Sequence, residues 1–342
     1  MQFAKLGNTG MTVSRICLGC MSYGGGPQPE WAMPRDWALD QNEAREHFVV
    51  SLEAGVNFFD TADVYSIGLS EEITGHWLGE LASRDDIVVA TKAWGKMAPG
   101  PNRGGLSRKH IIEACENSLR RLKMDYIDLY QIHRWDFATP IEETLEALDS
   151  LVRSGKVRYL GASSMAAWQF SKALYLANEQ GWHRFVTMQN HYNLIYREEE
   201  REMNPLCIDQ GVALIPWSPL ARGFFAGNRQ PEGGRGMTKR AETDAFAHNN
   251  YFRENDFVVA ATVERVAERR GVTPTQVACA WVLQAPGVTA PIIGATKIHH
   301  LAELFASVDI ELSDEEVATL EAPYQPHPIL GHTQPSPAKM VL

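Results

Sequence analysis

Residues 87–133 read IVVATKAWGKMAPGPNRGGLSRKHIIEACENSLRRLKMDYIDLYQIH. Ile87–Lys92 and Ile127–His133 are apolar runs of strand length, and each ends in an ionisable residue. Between them, 107–122 repeats its apolar residues at helical spacing behind Ser107, a residue suited to starting a helix. Strand, helix and strand in that order make one crossover unit of a parallel sheet.

The alternation continues in both directions. Further strands are expected at Ile16–Leu18, Asn57–Asp60, Tyr159–Ser163, Val186–Asn190, Ala213–Trp217 and Ala290–Ile293. Helices are expected near 42–54, 70–82, 140–154, 166–180, 198–210, 257–284 and 299–307. Thr139-Pro140 and Thr273-Pro274 place proline in a first helical turn, and Gly155, Gly181 and Gly211 follow helices as stop residues. Eight strand-then-helix repeats with no break in composition predict an α/β fold, a (β/α)₈ TIM barrel forming one domain over 1–342. A doubly wound sheet is the rival, but the chain has no G-x-G-x-x-G phosphate loop.

Three segments stand outside the repeat. Met1–Val13 reads as an N-terminal hairpin turning at Gly7-Asn8-Thr9-Gly10, suited to plugging the barrel bottom. A long insertion follows the seventh strand, from Ser218 to Thr289, and its part Gly227–Asn255 reads as a lid or loop. The tail from Ala322 carries five prolines and reads as irregular.

Composition narrows the function. With 342 residues, 44% of them hydrophobic and 22% charged, the chain is an ordinary globular one. A formal net charge of −10 disfavours nucleic acid and anionic membranes as partners, though a local cationic cluster could still hold a small anion. The apolar stretch Val277–Ala295 is interrupted by Gln284, Pro286, Gly287 and Pro291 and reads as core, not as a membrane span. Met1–Lys5 lacks the pattern of a leader peptide, and five cysteines suit a reducing, cytoplasmic setting. Cys17 and Cys20 form a C-x-x-C with no second pair at zinc-site spacing, so structural thiols are expected.

In a parallel barrel the chemistry gathers at the carboxyl ends of the strands. Here those ends carry Asp60, Lys92, His133, Ser163, Gln189 with Asn190, and Trp217 with Ser218. Alone, Asp60 could cap a turn, Lys92 could be a solvated rim lysine and His133 a satisfied core histidine. Together on successive strand ends they are costly to bury without mutual pairing. Carbonyl reduction suits them, because it needs a hydride donor and a proton donor. Tyr65, five residues past Asp60, can reach over the mouth as the acid. A lysine ammonium beside a phenol favours the tyrosinate, Asp60 would hold Lys92, and His133 would orient the carbonyl.

Rival chemistries fit less well. A Schiff-base aldolase could use Lys92 but leaves Asp60 and Tyr65 without a task. A metal-dependent hydrolase would want clustered ligands, and no His-x-His ends a strand, so no metal is expected.

Phe58-Phe59-Asp60-Thr61-Ala62-Asp63-Val64-Tyr65 with Ser70-Glu71-Glu72 resembles the aldo-keto reductase signature. Val89–Lys92 and Asp128–His133 resemble its lysine and histidine strands. Gln131–Asp136 and Tyr192–Glu202 bring the likeness closest to the YajO-like bacterial branch. The resemblance implies a Tyr/Asp/Lys/His tetrad and NADPH, with NADH possible, bound extended without a Rossmann fold. Position by position it implies nicotinamide contacts from Ser163, Ser164 (where relatives have asparagine) and Gln189, with Trp217 stacking on the ring. Ser218, Leu220, Arg222 and Gly223 would clasp the pyrophosphate. Gly294, Thr296, Lys297, His300 and Glu303 would meet the adenosine end. Channel-associated subunits share the likeness, so a cofactor-binding partner with little turnover is the non-enzyme alternative. Tyr23, Trp31, Trp94 and Trp135 are candidates for an aromatic entrance to a small-molecule carbonyl site.

Overall fold

The computed structural model describes residues 1–32, 35–227, 229 and 244–333. An antiparallel hairpin, β1 (Phe3–Lys5) with β2 (Thr12–Ser14), comes first. Eight parallel strands follow: β3 (Cys17–Gly19), β4 (Phe58–Asp60), β5 (Val88–Ala93), β6 (Ile127–Ile132), β7 (Val157–Ser163), β8 (Phe185–Gln189), β9 (Ala213–Leu214) and β10 (Ile292–Ile293). From β3 to β9 each pairs with its sequence neighbour, and β10 returns to pair with β3. The last seam closes through parallel bridges Leu214–Val288 and Trp217–Ile292, supported by Ile292 N–H donating to Pro216 O at 2.8 Å. Pro216 has no N–H of its own to add, which fits the shortness of β9. The result is the (β/α)₈ barrel that the repeat implied.

Helices α1 (Gln41–Glu53), α2 (Leu69–Leu81), α3 (Arg108–Leu122), α4 (Ile141–Arg153), α5 (Ala167–Gln180) and α6 (Met203–Asp209) connect the strands. Their starts are local chemistry. Asp40 and Glu43 form a capping box on α1, and the Ser107 hydroxyl accepts the His110 N–H on α3. On α3, Ile111, Ala114, Cys115, Ser118, Leu119 and Leu122 form the buried stripe, spaced three or four apart as a helix on a sheet requires.

The hairpin does plug the barrel bottom. Leu6 and Val13 are fully buried against Cys17, Phe58, Leu129 and Ile215, and Asn8 N–H donates to Gly211 O at 2.9 Å. All five cysteines are free and buried, and burial pushes the Cys20 thiol up to about 12. The C-x-x-C is therefore a pair of core residues.

Some expectations need correction. The helix expected over 257–284 is two, Glu254–Arg270 and Pro274–Gln284, because Gly271 turns left-handed (φ 66°) and Thr273 caps a new start. That over 198–210 is a turn of 3₁₀ helix at Glu198–Glu200 followed by α6. The helix Asp314–Glu321, with its Ser313–Glu316 capping box, went unread. Within the insertion, Ala245–Asn250 forms a short helix; residues 228 and 230–243, like the tail beyond 333, lie outside the described residues. No helix among the described residues is long and apolar enough to cross a membrane.

Helix α2 sits close to the end of α3: a Cβ on Gly75 would lie 2.1 Å from the Leu122 carbonyl oxygen, whereas one on Gly79 would meet nothing within 4 Å. Gly75→Ala should cost about 1–3 kcal/mol of stability in urea unfolding through overpacking. Gly79→Ala should instead gain up to about 1 kcal/mol from helix propensity.

Candidate active site

The ends of β4, β5 and β6 deliver the ionisable residues to one place. Asp60 ends β4 and is 1% exposed, and Lys92 near the end of β5 has no exposed surface. Lys92 Nζ donates to Asp60 Oδ2 at 2.6 Å and to Thr61 O at 2.8 Å, and lies 3.5 Å from Tyr65 Oη. The other Asp60 oxygen accepts from Gln131 Nε2 at 3.0 Å and Gln189 Nε2 at 2.9 Å. Burial alone would lower the Lys92 pKa; the Asp60 carboxylate and then Tyr65 outweigh it and hold it above the ordinary lysine value.

His133 follows β6 and meets the Tyr65 ring edge-on, with centroids 5.7 Å apart. Burial, then the charges of Arg134, Lys92 and Arg35, hold His133 well below the usual histidine value, so its imidazole is neutral near pH 7. Tyr65 begins a turn in which Ser66, Ile67 and Gly68 take left-handed φ of 48°, 51° and 93° before α2 starts.

On the opposite side, Trp217 stacks on His191 (centroids 4.1 Å), which stacks on Tyr196 (4.2 Å). His191 Nε2 and Tyr251 Oη are 2.5 Å apart, tying the stack to the insertion. Trp217 Nε1 donates to Ser164 Oγ at 2.9 Å, and Ser163 Oγ donates to Gln189 O at 2.8 Å. Beyond Trp217 the backbone turns left-handed at Ser218, Ala221, Arg222 and Gly223, and Arg222 Nε meets Asp244 Oδ2 at 2.6 Å.

This barrel, with a buried Asp–Lys pair reaching a tyrosine at its carboxyl rim, can be set beside known proteins. The model of the Aldo/keto reductase family matches residues 15–325. This chain belongs to the aldo/keto reductase family. Versiconal hemiacetal acetate reductase of Aspergillus parasiticus is 43% identical over 350 residues, covering 96% of this chain and 98% of that protein. An aldo-keto reductase of Alternaria alternata is 39% identical, covering 97% of this chain and 94% of its own. Another, from Metarhizium robertsii, is 40% identical with the same coverage. These relatives are fungal, and nothing in them singles out the bacterial branch. The protein is an oxidoreductase of carbonyl and alcohol groups.

In this reductase the remaining expected residues are scattered more widely. Gly294 and Lys297 are exposed beyond β10, and Thr296, His300 and Glu303 are half-buried there, Lys297 preceding the helix Ile298–Ala306. Tyr23 is not an entrance residue: it has no exposed surface and packs on His47 and Phe48 of α1. Trp135 is buried too, beside Trp168, with its carbonyl capped by Thr333. Trp94 is half-buried and Trp31 is 42% exposed.

The sequence reading missed four neighbours. Gln131 anchors Asp60, and its place two residues before His133 on one strand face could have revealed it. Arg134 sits against Ser163, and Arg35 lies with its guanidinium carbon 4.8 Å from the Tyr65 centroid. His191 braces Trp217. Only tertiary structure brings Arg35 and His191 in.

The buried pair makes a thermodynamic prediction. Asp60→Leu should cost about 3–5 kcal/mol in urea unfolding, because it strands a buried ammonium. Adding Lys92→Met should recover a large part of that loss. A double variant no more stable than Asp60→Leu alone would contradict the pairing.

Proposed function

We propose that this aldo/keto reductase converts an aldehyde or ketone to the alcohol with NADPH as reductant and Tyr65 as proton donor. The observation that carries the reading is Lys92, whose ammonium joins Asp60 at 2.6 Å and Tyr65 at 3.5 Å beside a neutral His133.

NADPH, when bound, supplies the hydride. The chain's own residues manage the proton. Tyr65 Oη gives its proton to the carbonyl oxygen, and the Lys92 charge stabilises the tyrosinate left behind. Asp60, held by Gln131 and Gln189, keeps Lys92 charged and aimed. The neutral imidazole of His133 retains one N–H to donate to the carbonyl oxygen. A Schiff-base role would need Lys92 as a free amine, and its pairing with Asp60 opposes that.

The donor set around Trp217 fits a nicotinamide dinucleotide. Ser164 accepts the N–H of the indole, whose ring is braced by His191, and its chain neighbour Ser163 donates to Gln189 O. Ser164 here receives the indole N–H, so it orients Trp217 and would in addition be one of the residues that hold the cofactor. The left-handed turns at Ser218, Ala221, Arg222 and Gly223 make a backbone concavity of the kind that accepts phosphate, and Leu220 lies within it. Gly294, Thr296, Lys297, His300 and Glu303 would take the adenosine end, with NADH as the possible alternative cofactor. The nearer kinship to the YajO-like bacterial branch and a cytoplasmic location rest on sequence alone.

Tyr65→Phe should leave NADPH binding, read by fluorescence titration, while turnover of aldehydes falls by about two orders of magnitude or more. Near-normal turnover would remove Tyr65 from the mechanism. Lys297→Ala should weaken NADPH much more than NADH, since only NADPH carries the 2′-phosphate. Equal losses would show that Lys297 does not read that group.

A further inference from the structure

Among the described residues, two cations at the mouth have no carboxylate within ion-pairing distance. Lys92 is paired with Asp60, and Arg222 with Asp244. Arg35 and Arg134 make no ion pair among the described residues. Arg35 is 8% exposed, donates to Met21 O at 3.2 Å, and lays its guanidinium over the Tyr65 ring. Arg134 is half-buried, donates to His133 O at 2.6 Å and Ser163 Oγ at 3.3 Å, and has its guanidinium carbon 5.9 Å from the Trp217 ring. They therefore reach the carbonyl site from the Tyr65 side and the Trp217 side. Among the described residues neither guanidinium has a carboxylate within ion-pairing distance; Asp244, which pairs with Arg222, acts on Arg35 only from further off, so each has given up water without a contacting counter-charge. A bound oxyanion would restore it, in the two-pronged geometry that arginine favours.

We propose that the carbonyl substrate carries an oxyanion, a carboxylate or a phosphate, held by Arg35 and Arg134 beside Tyr65. The proposal rests on the reading of Tyr65 as proton donor. Binding leaves the redox chemistry unchanged: hydride to the carbonyl carbon, proton from Tyr65 to its oxygen, with the anionic group distant from the bonds that change.

The test compares kcat/KM with NADPH in two matched pairs, one for each source of the anion. 4-Carboxybenzaldehyde is set against its methyl ester, and glyceraldehyde 3-phosphate against glyceraldehyde. The charged member of at least one pair should be preferred by about tenfold or more, the scale of a charge-assisted hydrogen bond. Which pair shows the preference distinguishes carboxylate from phosphate. Arg35→Gln and Arg134→Gln should each shrink that ratio, while NADPH affinity, from tryptophan fluorescence, changes far less. No charge preference in either pair overturns the anion site, and this comparison needs no variant to fold. A ratio that survives both substitutions also overturns it. So does a matching loss of NADPH affinity, which would assign the arginines to the cofactor's phosphates. Absence of turnover with all four aldehydes would instead overturn the reductase reading beneath it.

Discussion

A fully buried ammonium can persist only beside an opposite charge, and the rest of this site is arranged around that requirement. Lys92 has no exposed surface, so the Asp60 carboxyl must lie within reach, and it accepts from Nζ at 2.6 Å. Asp60 in turn has oxygens to satisfy, and Gln131 and Gln189 supply the N–H groups. One carboxylate thereby connects side chains from β4, β5, β6 and β8 across the inside of the barrel. A shift of any of these strands by one residue would point its side chain out of the barrel and leave the pair undersatisfied. The same contacts that fix register fix the position of the charge beside Tyr65.

The rim is built differently. Side chains on strands are placed by the sheet, but Tyr65 and the Trp217 loop leave the sheet and need the chain to turn sharply. Ser66 and Ile67 after Tyr65, and Ser218, Ala221 and Arg222 after Trp217, adopt left-handed backbone that costs non-glycine residues about 1–3 kcal/mol each. Such conformations persist when neighbours over-determine them. The Arg222–Asp244 ion pair and the Asn193 amide, which donates to Ser218 O at 2.9 Å, do so for the second turn. The His191–Tyr251 contact holds the ring stack behind Trp217. The described end of the insertion is thus part of the wall of the site, through Asp244 and Tyr251.

These two construction modes explain what could be read from sequence. Asp60, Lys92 and His133 end apolar runs, and the barrel rule places such residues together without knowledge of any contact. Gln131 was legible in principle by the same alternation. Arg35 was not, because it belongs to the loop after β3 and reaches Tyr65 only through folding. The aromatic residues misled for a related reason. Tyr23 and Trp135 lie near strand ends in sequence, yet burial of their large apolar surfaces draws them into the core, a stronger force than proximity to the mouth. The error at 257–284 came from continuous apolar periodicity overriding a Gly271 stop and a Thr273-Pro274 start that were both present in the sequence.

Net charge and local charge also separate here. A chain of net charge −10 is expected to repel anions at long range. Screening at physiological salt reduces that influence beyond about 8 Å. Within the mouth, therefore, the groups that matter are those in contact: Lys92 balanced by Asp60, Arg222 by Asp244, and Arg35 with Arg134 lacking a contacting carboxylate among the described residues, Asp244 reaching Arg35 only at longer range. Burial lowers the pKa of Arg134 to about 10, which still leaves it charged at neutral pH. His133 stays neutral because burial, and then the charges of Arg134, Lys92 and Arg35, lower its pKa. The local positive charge thus adds to burial in keeping the imidazole in its donating neutral form, and it makes the adjoining space favourable to an anion. An acidic surface and an anion-seeking mouth are compatible, because a few ångströms of low-dielectric contact outweigh a larger charge spread through water.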